Sequence, residues 1–479
     1  MSAVPTLRRL APSSLREAWL ALAGLSAVFL FEMLDNSLLN VALPTIGREL
    51  RATTTGLQWV TGAYSVVFGG LMLLFGAVAD RVGRRRVMLV GLVLLGVASL
   101  ATVVVTTTPE LIALRAVMGV AAAMTTPGSM ALAFRLFDIE DLRVRALTVI
   151  STAGLVGLAI GPTIGGLVLA VAPWQVLLLA NAPIALVAFV GIRTGIGADT
   201  AEGLHRAPID VAGAVLGTAT IAGALVAPTL AVDLGWSWQT WAVAAMTVVA
   251  AVAFVLRERS ARHPLLDLAL VARPLVTSGL AFKAGAGLAV AGLSYLVTLQ
   301  LQFGWGWSPA AAAVGMLPQV VVLLASGRFV GPFVQRVGLR QAAASSSVAV
   351  VLGLGVFAAF GHLGYGWVAA ALVLVAAGMR VVGVVAGNDV LRGLPADRTS
   401  MGAALVDTAS ELATGVGIAA SGAVLAAMVS GSIATTVWTS TRLAQFESGV
   451  QVAGVVLTLV AAALVTVAIV RSRQGQDAS

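Results

Sequence analysis

Apolar stretches about twenty residues long, broken by brief polar connections, fill almost the entire chain. Fourteen can be marked off, near 18–43, 57–77, 87–105, 110–134, 146–171, 174–193, 210–230, 239–256, 275–299, 309–333, 341–360, 366–391, 401–429 and 449–470. Each is long enough to cross a hydrocarbon layer of about 30 Å as an α-helix rising about 1.5 Å per residue. They are numbered here as spans 1 to 14. Most connections are too short to hold a domain, so consecutive spans run in opposite directions. The tightest connection joins spans 2 and 3 and reads Gly76-Ala77-Val78-Ala79-Asp80-Arg81-Val82-Gly83-Arg84-Arg85-Arg86. Here Gly83 permits a sharp reversal, Asp80 can sit at a helix end, and the arginines hold the turn in an anionic headgroup layer.

Composition agrees with an all-α polytopic membrane protein. Hydrophobic residues make up 59% of the 479 and charged residues 10%, with a mean hydropathy of +0.99. A soluble chain could not be covered by so little polar surface. The net charge of +8 could indicate nucleic acid binding, but the arginines are spread through short loops and gather on no single module. They fit a membrane topology instead. With a cytoplasmic N-terminus, Arg48, Arg51 and Arg442 alone fall outside; Arg115, Lys283 and Arg380 lie within spans, and every other basic residue falls inside. Both termini are therefore expected in the cytoplasm of a multi-pass inner or plasma membrane protein. The first apolar run, 18–43, follows arginines like a signal peptide, but it carries Glu32 and Asp35 and lacks a small-residue cleavage pattern, so it is read as a retained span. The absence of Cys removes disulfide, thiol and zinc–thiolate chemistry, and His205, His263 and His362 occupy separate loops as expected solvated residues. No nucleophile–base pair or metal-ligand spacing occurs inside the spans, so no enzyme activity, cofactor or metal is expected.

The chain repeats internally. Gly331, Arg336, Gly338 and Arg340 follow Gly76, Arg81, Gly83 and Arg85 by 255 residues, with Gln335 in place of Asp80. Spans 1–6 (residues 1–193) and 9–14 (274–479) are thus expected to be homologous six-helix halves, with 194–273 holding linkers and two additional spans.

Span 5 contains Gly157-x-x-x-Gly161-Pro162-Thr163-Ile164-Gly165-Gly166. Glycines at this spacing admit a neighbouring helix backbone, and Pro162 frees a carbonyl and is expected to bend the span; packing alone would explain them. Together with the 76–86 turn, Leu34-Asp35-Asn36 before Asn40-Val41-Ala42-Leu43-Pro44, Arg115-x-x-x-Gly119, Trp174-Gln175 and Asn181-Ala182-Pro183, this run resembles the major facilitator superfamily, and within it the fourteen-span drug:proton antiporters. Asn388-Asp389 and Asp407-x-x-x-Glu411 are similar to the QacA-like quaternary-ammonium exporters, whereas Met118 stands where that family often has Gln. The resemblance implies two six-helix bundles about a central cavity plus two extra spans, working by alternating access. It also implies gating roles for Gly76, Asp80, Arg81, Gly83 and Arg84 and for Gly157, Gly161, Pro162, Gly165 and Gly166.

Charges inside spans need compensation, because an unpaired buried charge costs several kcal/mol. Counting residues from the span ends puts Glu32, Lys283, Arg380 and Glu411 at roughly 14–18 Å from the inner face, and Asp35 and Arg115 at roughly 21–22 Å. Asp407 lies one turn below Glu411. Asp35, Arg115, Asp407 and Glu411 are candidates for proton coupling, although Asp35 could instead serve as a structural partner of Arg115. Glu32, Lys283, Arg380 and Asp389 are candidates for substrate binding. Asp389 could equally sit in a loop, and Lys283 could merely dock helices by pairing with Glu411 or Glu32. Lys283 is the chain's one lysine, and unlike arginine it can release its proton. The expected function is proton-driven efflux of small amphiphilic compounds by a lipid-embedded monomer that binds no nucleic acid. A lipid or anionic-metabolite carrier of the same fold, which Lys283 and Arg380 favour, is the alternative.

Overall fold

The structure is a computed structural model that describes residues 12–137, 139–199, 210–233, 237–261, 264, 266–394, 399–429 and 439–477. His205, His263, Arg8, Arg9, Arg206, Arg262 and Arg398, which entered the expectations above, lie outside the described residues.

All regular structure among the described residues is helical. Spans 1 to 5 are Trp19–Glu49, Thr54–Val82, Arg84–Ala101, Thr108–Arg135 and Glu140–Leu169. Span 6 is a short turn, Gln175–Leu179, followed by Asn181–Gly195, and spans 7 and 8 are Val211–Asp233 and Trp238–Ser260. Spans 9 to 14 are Pro274–Leu299, Pro309–Ala325 with Gly327–Val337, Leu339–Phe360, Tyr365–Gly393, Thr399–Met428 and Ser440–Asp477. Among the described residues, eleven helices are long and apolar enough to cross a bilayer, two more qualify as bent pairs, and the apolar part of span 7, Val211–Ala227, is shorter.

Local sequence explains many of the starts. Thr107 and Glu110 form a reciprocal capping box ahead of span 4, Thr53 accepts from the Gly56 amide ahead of span 2, and Ser308 caps span 10 with Pro309 at its first position. Pro162 sits inside one continuous helix, and among the described residues the bends above 40° fall elsewhere: 50° in span 2 between Met72 and Leu74, and 59° in span 10 between Ala325 and Gly327. Span 2 carries Gly69, Gly70 and Gly76 around its bend, and span 10 breaks at Ser326-Gly327 with Pro332 following, so missing side chains and a missing amide weaken the ladder there. Span 14 also begins at Ser440, well before the expected 449, because its first turns are polar.

Packing repeats along the chain. Span 1 packs on 5 and 6, 2 on 4, and 3 on 4 and 6; in the same way 9 packs on 13 and 14, 10 on 12, and 11 on 12 and 14. The two sets meet through two equivalent seams, span 2 against 13 and span 5 against 10. Span 7 lies on the outside of the first seam, against spans 2 and 13, where Thr218 Oγ1 donates to the Gly70 carbonyl at 2.6 Å. Span 8 pairs with span 7, and 6% of its apolar window is buried, so it presents nearly its whole surface to lipid. Arg257 Nε donates to Asp210 at 2.9 Å, tying the two spans at one end.

Candidate functional site

Span 1 faces span 4, and that contact brings Asp35 to Arg115. Arg115 Nη1 donates to Asp35 Oδ2 at 2.5 Å, Asn181 Nδ2 of span 6 donates to Asp35 Oδ1 at 2.6 Å, and both charged side chains are 0% exposed. Arg115 Nε also donates to the Val60 carbonyl at 3.2 Å, and its guanidinium stacks 4.5 Å from the Tyr64 ring centroid. Met118 Sδ accepts weakly from Nη1 at 3.8 Å, while Nη2 has no hydrogen-bond partner among the described residues. Both oxygens of the carboxylate are therefore bonded, one by a cation, in a region where an uncompensated charge would be costly. One turn along span 1, Glu32 is also buried and accepts from Thr126 Oγ1 at 2.9 Å. The two acids point at span 4 but are held by different partners.

Between the halves lies a cavity of about 110 Å³, several times the roughly 10–15 Å³ that one water needs. Span 1 lines it with Met33, Ser37 and Asn40, span 5 with Leu158 and Pro162, span 9 with Lys283 and Ser294, span 10 with Met316 and Gln319, and span 13 with Ser410 and Glu411. Glu411 is 5% exposed, its Oε2 has no partner, and Lys283 forms no ion pair within 4.0 Å among the described residues. The docking pair between Lys283 and Glu411 or Glu32 is thus not formed.

Of the four residues expected at a substrate pocket, Lys283 lines the cavity. Glu32 turns into span 4, Arg380 lies against Gly327 at the break of span 10, and Asp389 sits near the end of span 12 beside Arg392. Counting along a helix fixes depth and leaves the direction around the axis open, so equal depth did not mean a shared cavity. Asn181, Thr126, Asn40 and Gln319 had no role assigned from the sequence. Asn40 and Asn181 stood in the motifs quoted above, and the signal at Thr126 and Gln319 was a hydrogen-bonding side chain in an apolar span, where such groups find partners or line cavities.

The 76–86 turn is anchored from both sides. Gly83 takes φ +116° and both ends span 2 and starts span 3, as Gly338 does at φ +81° between spans 10 and 11. Arg84 Nε donates to Asp80 Oδ1 at 2.6 Å. Asp199, beyond span 6, accepts from the Arg86 amide at 3.2 Å and caps span 3, while Arg85 Nη2 donates to the Arg193 carbonyl at 2.7 Å at the end of span 6. A β-carbon on Gly83 would fall on the Asp199 carboxylate. Arg81 is exposed, and Gly76 meets only Pro127 at ordinary van der Waals distance.

The span 5 glycines serve two surfaces. Gly157, Gly161 and Gly165 lie against Leu30, Ser37 and Leu38 of span 1, and Ser37 Oγ donates to the Gly157 carbonyl at 3.3 Å. Gly166 instead meets Pro309 and Ala313 of span 10, at the seam between halves.

Solved structures with this arrangement include a POT family transporter in complex with a thioalcohol-conjugated peptide, at TM-score 0.65 and 14% identity over 93% of this chain and 95% of that one, which speaks for the fold alone. The Major Facilitator Superfamily model matches residues 25–202, and the multidrug efflux pump LfrA of Mycolicibacterium smegmatis is 28% identical over 87% of this chain and 83% of its own. The methyl viologen resistance protein SmvA of Salmonella typhimurium is 30% identical over 419 residues, 87% of this chain and 84% of the relative. With that kinship along almost the full length, and with the repeated six-helix packing around one cavity, the chain belongs to the major facilitator superfamily.

Proposed function

We propose that this protein exports small amphiphilic molecules from the cell in exchange for protons. The observation that carries the reading is a buried acidic network, Asp35 with Arg115 and Asn181, set in the same bundle that walls a cavity bearing Glu411. Its relatives named for efflux and resistance support it. Residues 1–193 and 274–479 act as two rocking bodies, and 194–273 forms a peripheral addition. Both termini face the cytoplasm, so the seam contacts near Gln58–Ala419 and Val41–Gln302 close the outer end. Protons from outside are taken by carboxylates among Asp35, Asp407 and Glu411 and released inside, and substrate competes with them for the charged cavity. The chain works as a carrier without catalysis or cofactor, as a monomer in lipid, with the proton gradient as its energy source. The test is purified protein in liposomes with an imposed pH gradient and a panel of cationic, neutral and anionic dyes. Gradient-dependent movement of at least one dye is expected; flux indifferent to the gradient would refute proton exchange.

A second reading, a carrier for anionic metabolites or lipids, draws on the unpaired Lys283 at the cavity wall. Selective binding of anions over all other dyes in detergent would favour it.

A further inference from the structure

The central cavity carries opposite charges that do not satisfy each other. Lys283 on span 9 and Glu411 on span 13 both open onto it from neighbouring helices, yet no ion pair within 4.0 Å joins them. Glu411 Oε2 is buried without a partner, and so are the amide oxygens of Asn40 and Gln319, which line the same space. The rest of the wall is largely apolar, with Met33, Met316, Met379, Leu158, Val290 and Ile418. Buried polar atoms are nearly always bonded, so a set of orphans converging on one cavity marks where a ligand supplies the missing groups.

The chemistry of the orphans specifies that ligand. An ammonium offers donors and no acceptor, so Lys283 needs an anionic or strongly accepting group. The three oxygens need donors, and the carboxylate among them favours a charged one. A permanent cation would answer Glu411 but leave Lys283 facing a like charge, and a simple anion would do the reverse. Glu32 and Asp407 stand behind this wall rather than on it. We infer that the preferred cargo is an amphiphilic zwitterion, with a protonated amine held by Glu411, Asn40 and Gln319 and a carboxylate held by Lys283. The assignment rests on the carrier reading above and deepens it by naming the class of molecule carried.

Three fluorescent probes sharing one skeleton test it: Nε-dansyl-lysine, a zwitterion; its methyl ester, a cation; and its Nα-acetyl derivative, an anion. Binding to the purified full-length chain is followed by dansyl fluorescence without any gradient, so the result does not depend on whether protons drive transport. The zwitterion is expected to bind about tenfold more tightly than either relative. Lys283→Met is expected to erase its advantage over the methyl ester while keeping that over the acetyl compound, and Glu411→Gln to do the converse. Each variant thereby serves as the folding control for the other. Equal binding of the three probes, tightest binding of the ester or the acetyl compound, or no binding of any by a preparation that still exports a dye in liposomes would overturn the assignment. Loss of both preferences in both variants would also overturn it, since the two side chains would then act through the fold rather than by holding opposite ends of the cargo.

Discussion

Replacing Asp35 by Asn keeps the shape of the side chain and removes its charge, leaving Arg115 fully buried with a permanent positive charge. What remains is the Val60 carbonyl at 3.2 Å, the face of Tyr64 at 4.5 Å, the weak acceptor Met118 Sδ at 3.8 Å and the neutral amide oxygen of the new side chain. A desolvated cation–π contact of this kind returns about 2 kcal/mol, against the roughly 4 kcal/mol that a carboxylate about 4 Å away supplies at an effective dielectric near 20. Adding the lost hydrogen-bond strength, Asp35→Asn is expected to cost about 3–5 kcal/mol of stability, as breaking one side of a buried pair does. Arg115→Met, which leaves the carboxylate with Asn181 alone, is expected to cost a similar amount. The double variant removes both charges together, and its loss is expected to fall short of the sum by about 3 kcal/mol. Reversible unfolding of the four proteins in mixed detergent micelles measures all corners of the cycle. A double variant whose loss equals the sum to within about 0.5 kcal/mol would show that the two charges do not depend on each other, and the reasoning would fail.

Gly83→Val combines a left-handed backbone position with a side chain aimed at Asp199, so transport is expected to slow severely while equilibrium substrate affinity changes less than tenfold, about 1.4 kcal/mol; a large affinity loss with normal turnover would contradict this. Of Asp407→Asn and Glu411→Gln, at least one is expected to abolish gradient-driven flux in a folded protein, and full flux in both would move coupling to Asp35. Asp210's carboxyl is held below the usual aspartate range, first because Arg257 donates to it. A depressed carboxylate stabilises the fold above the ordinary value near about 3.9 and loses that contribution as pH falls through its folded value. Asp210→Asn is therefore expected to lower the amide protection factors of spans 7 and 8 at neutral pH, and acidification below about 4 to do the same in the unaltered protein once rates are referred to the intrinsic exchange at each pH; identical protection would mean the pair contributes nothing.

The all-helical, many-spanned character could be read from the sequence because the bilayer imposes length on every span. The packing of spans 9–14 follows that of 1–6. What the residues hid was azimuth. Asp35 and Arg115 share a depth and touch, whereas Arg380 and Lys283 share a depth and face different neighbours, since nearly uniform hydrophobicity around each helix gives no sign of which side meets protein. The bends were equally hidden: Pro162, the obvious breaker, is tolerated, while Ser326-Gly327 gives way.

The seams between halves hold one further consequence. Among the described residues, three side-chain hydrogen bonds cross from one half to the other: Gln58 to Ala419, Gln302 to Val41, and Thr408 to the sulfur of Met72. Much of the remaining contact is apolar, including Leu412 against Gly69 and Leu158 and Ala159 against Leu323 and its neighbours. Parting the closed end would wet that apolar surface and rupture few directional bonds. The exchange between closed and open forms would then carry a heat-capacity increment, as exposure of apolar surface does. Its equilibrium constant would trace a curve against temperature rather than a straight van't Hoff line.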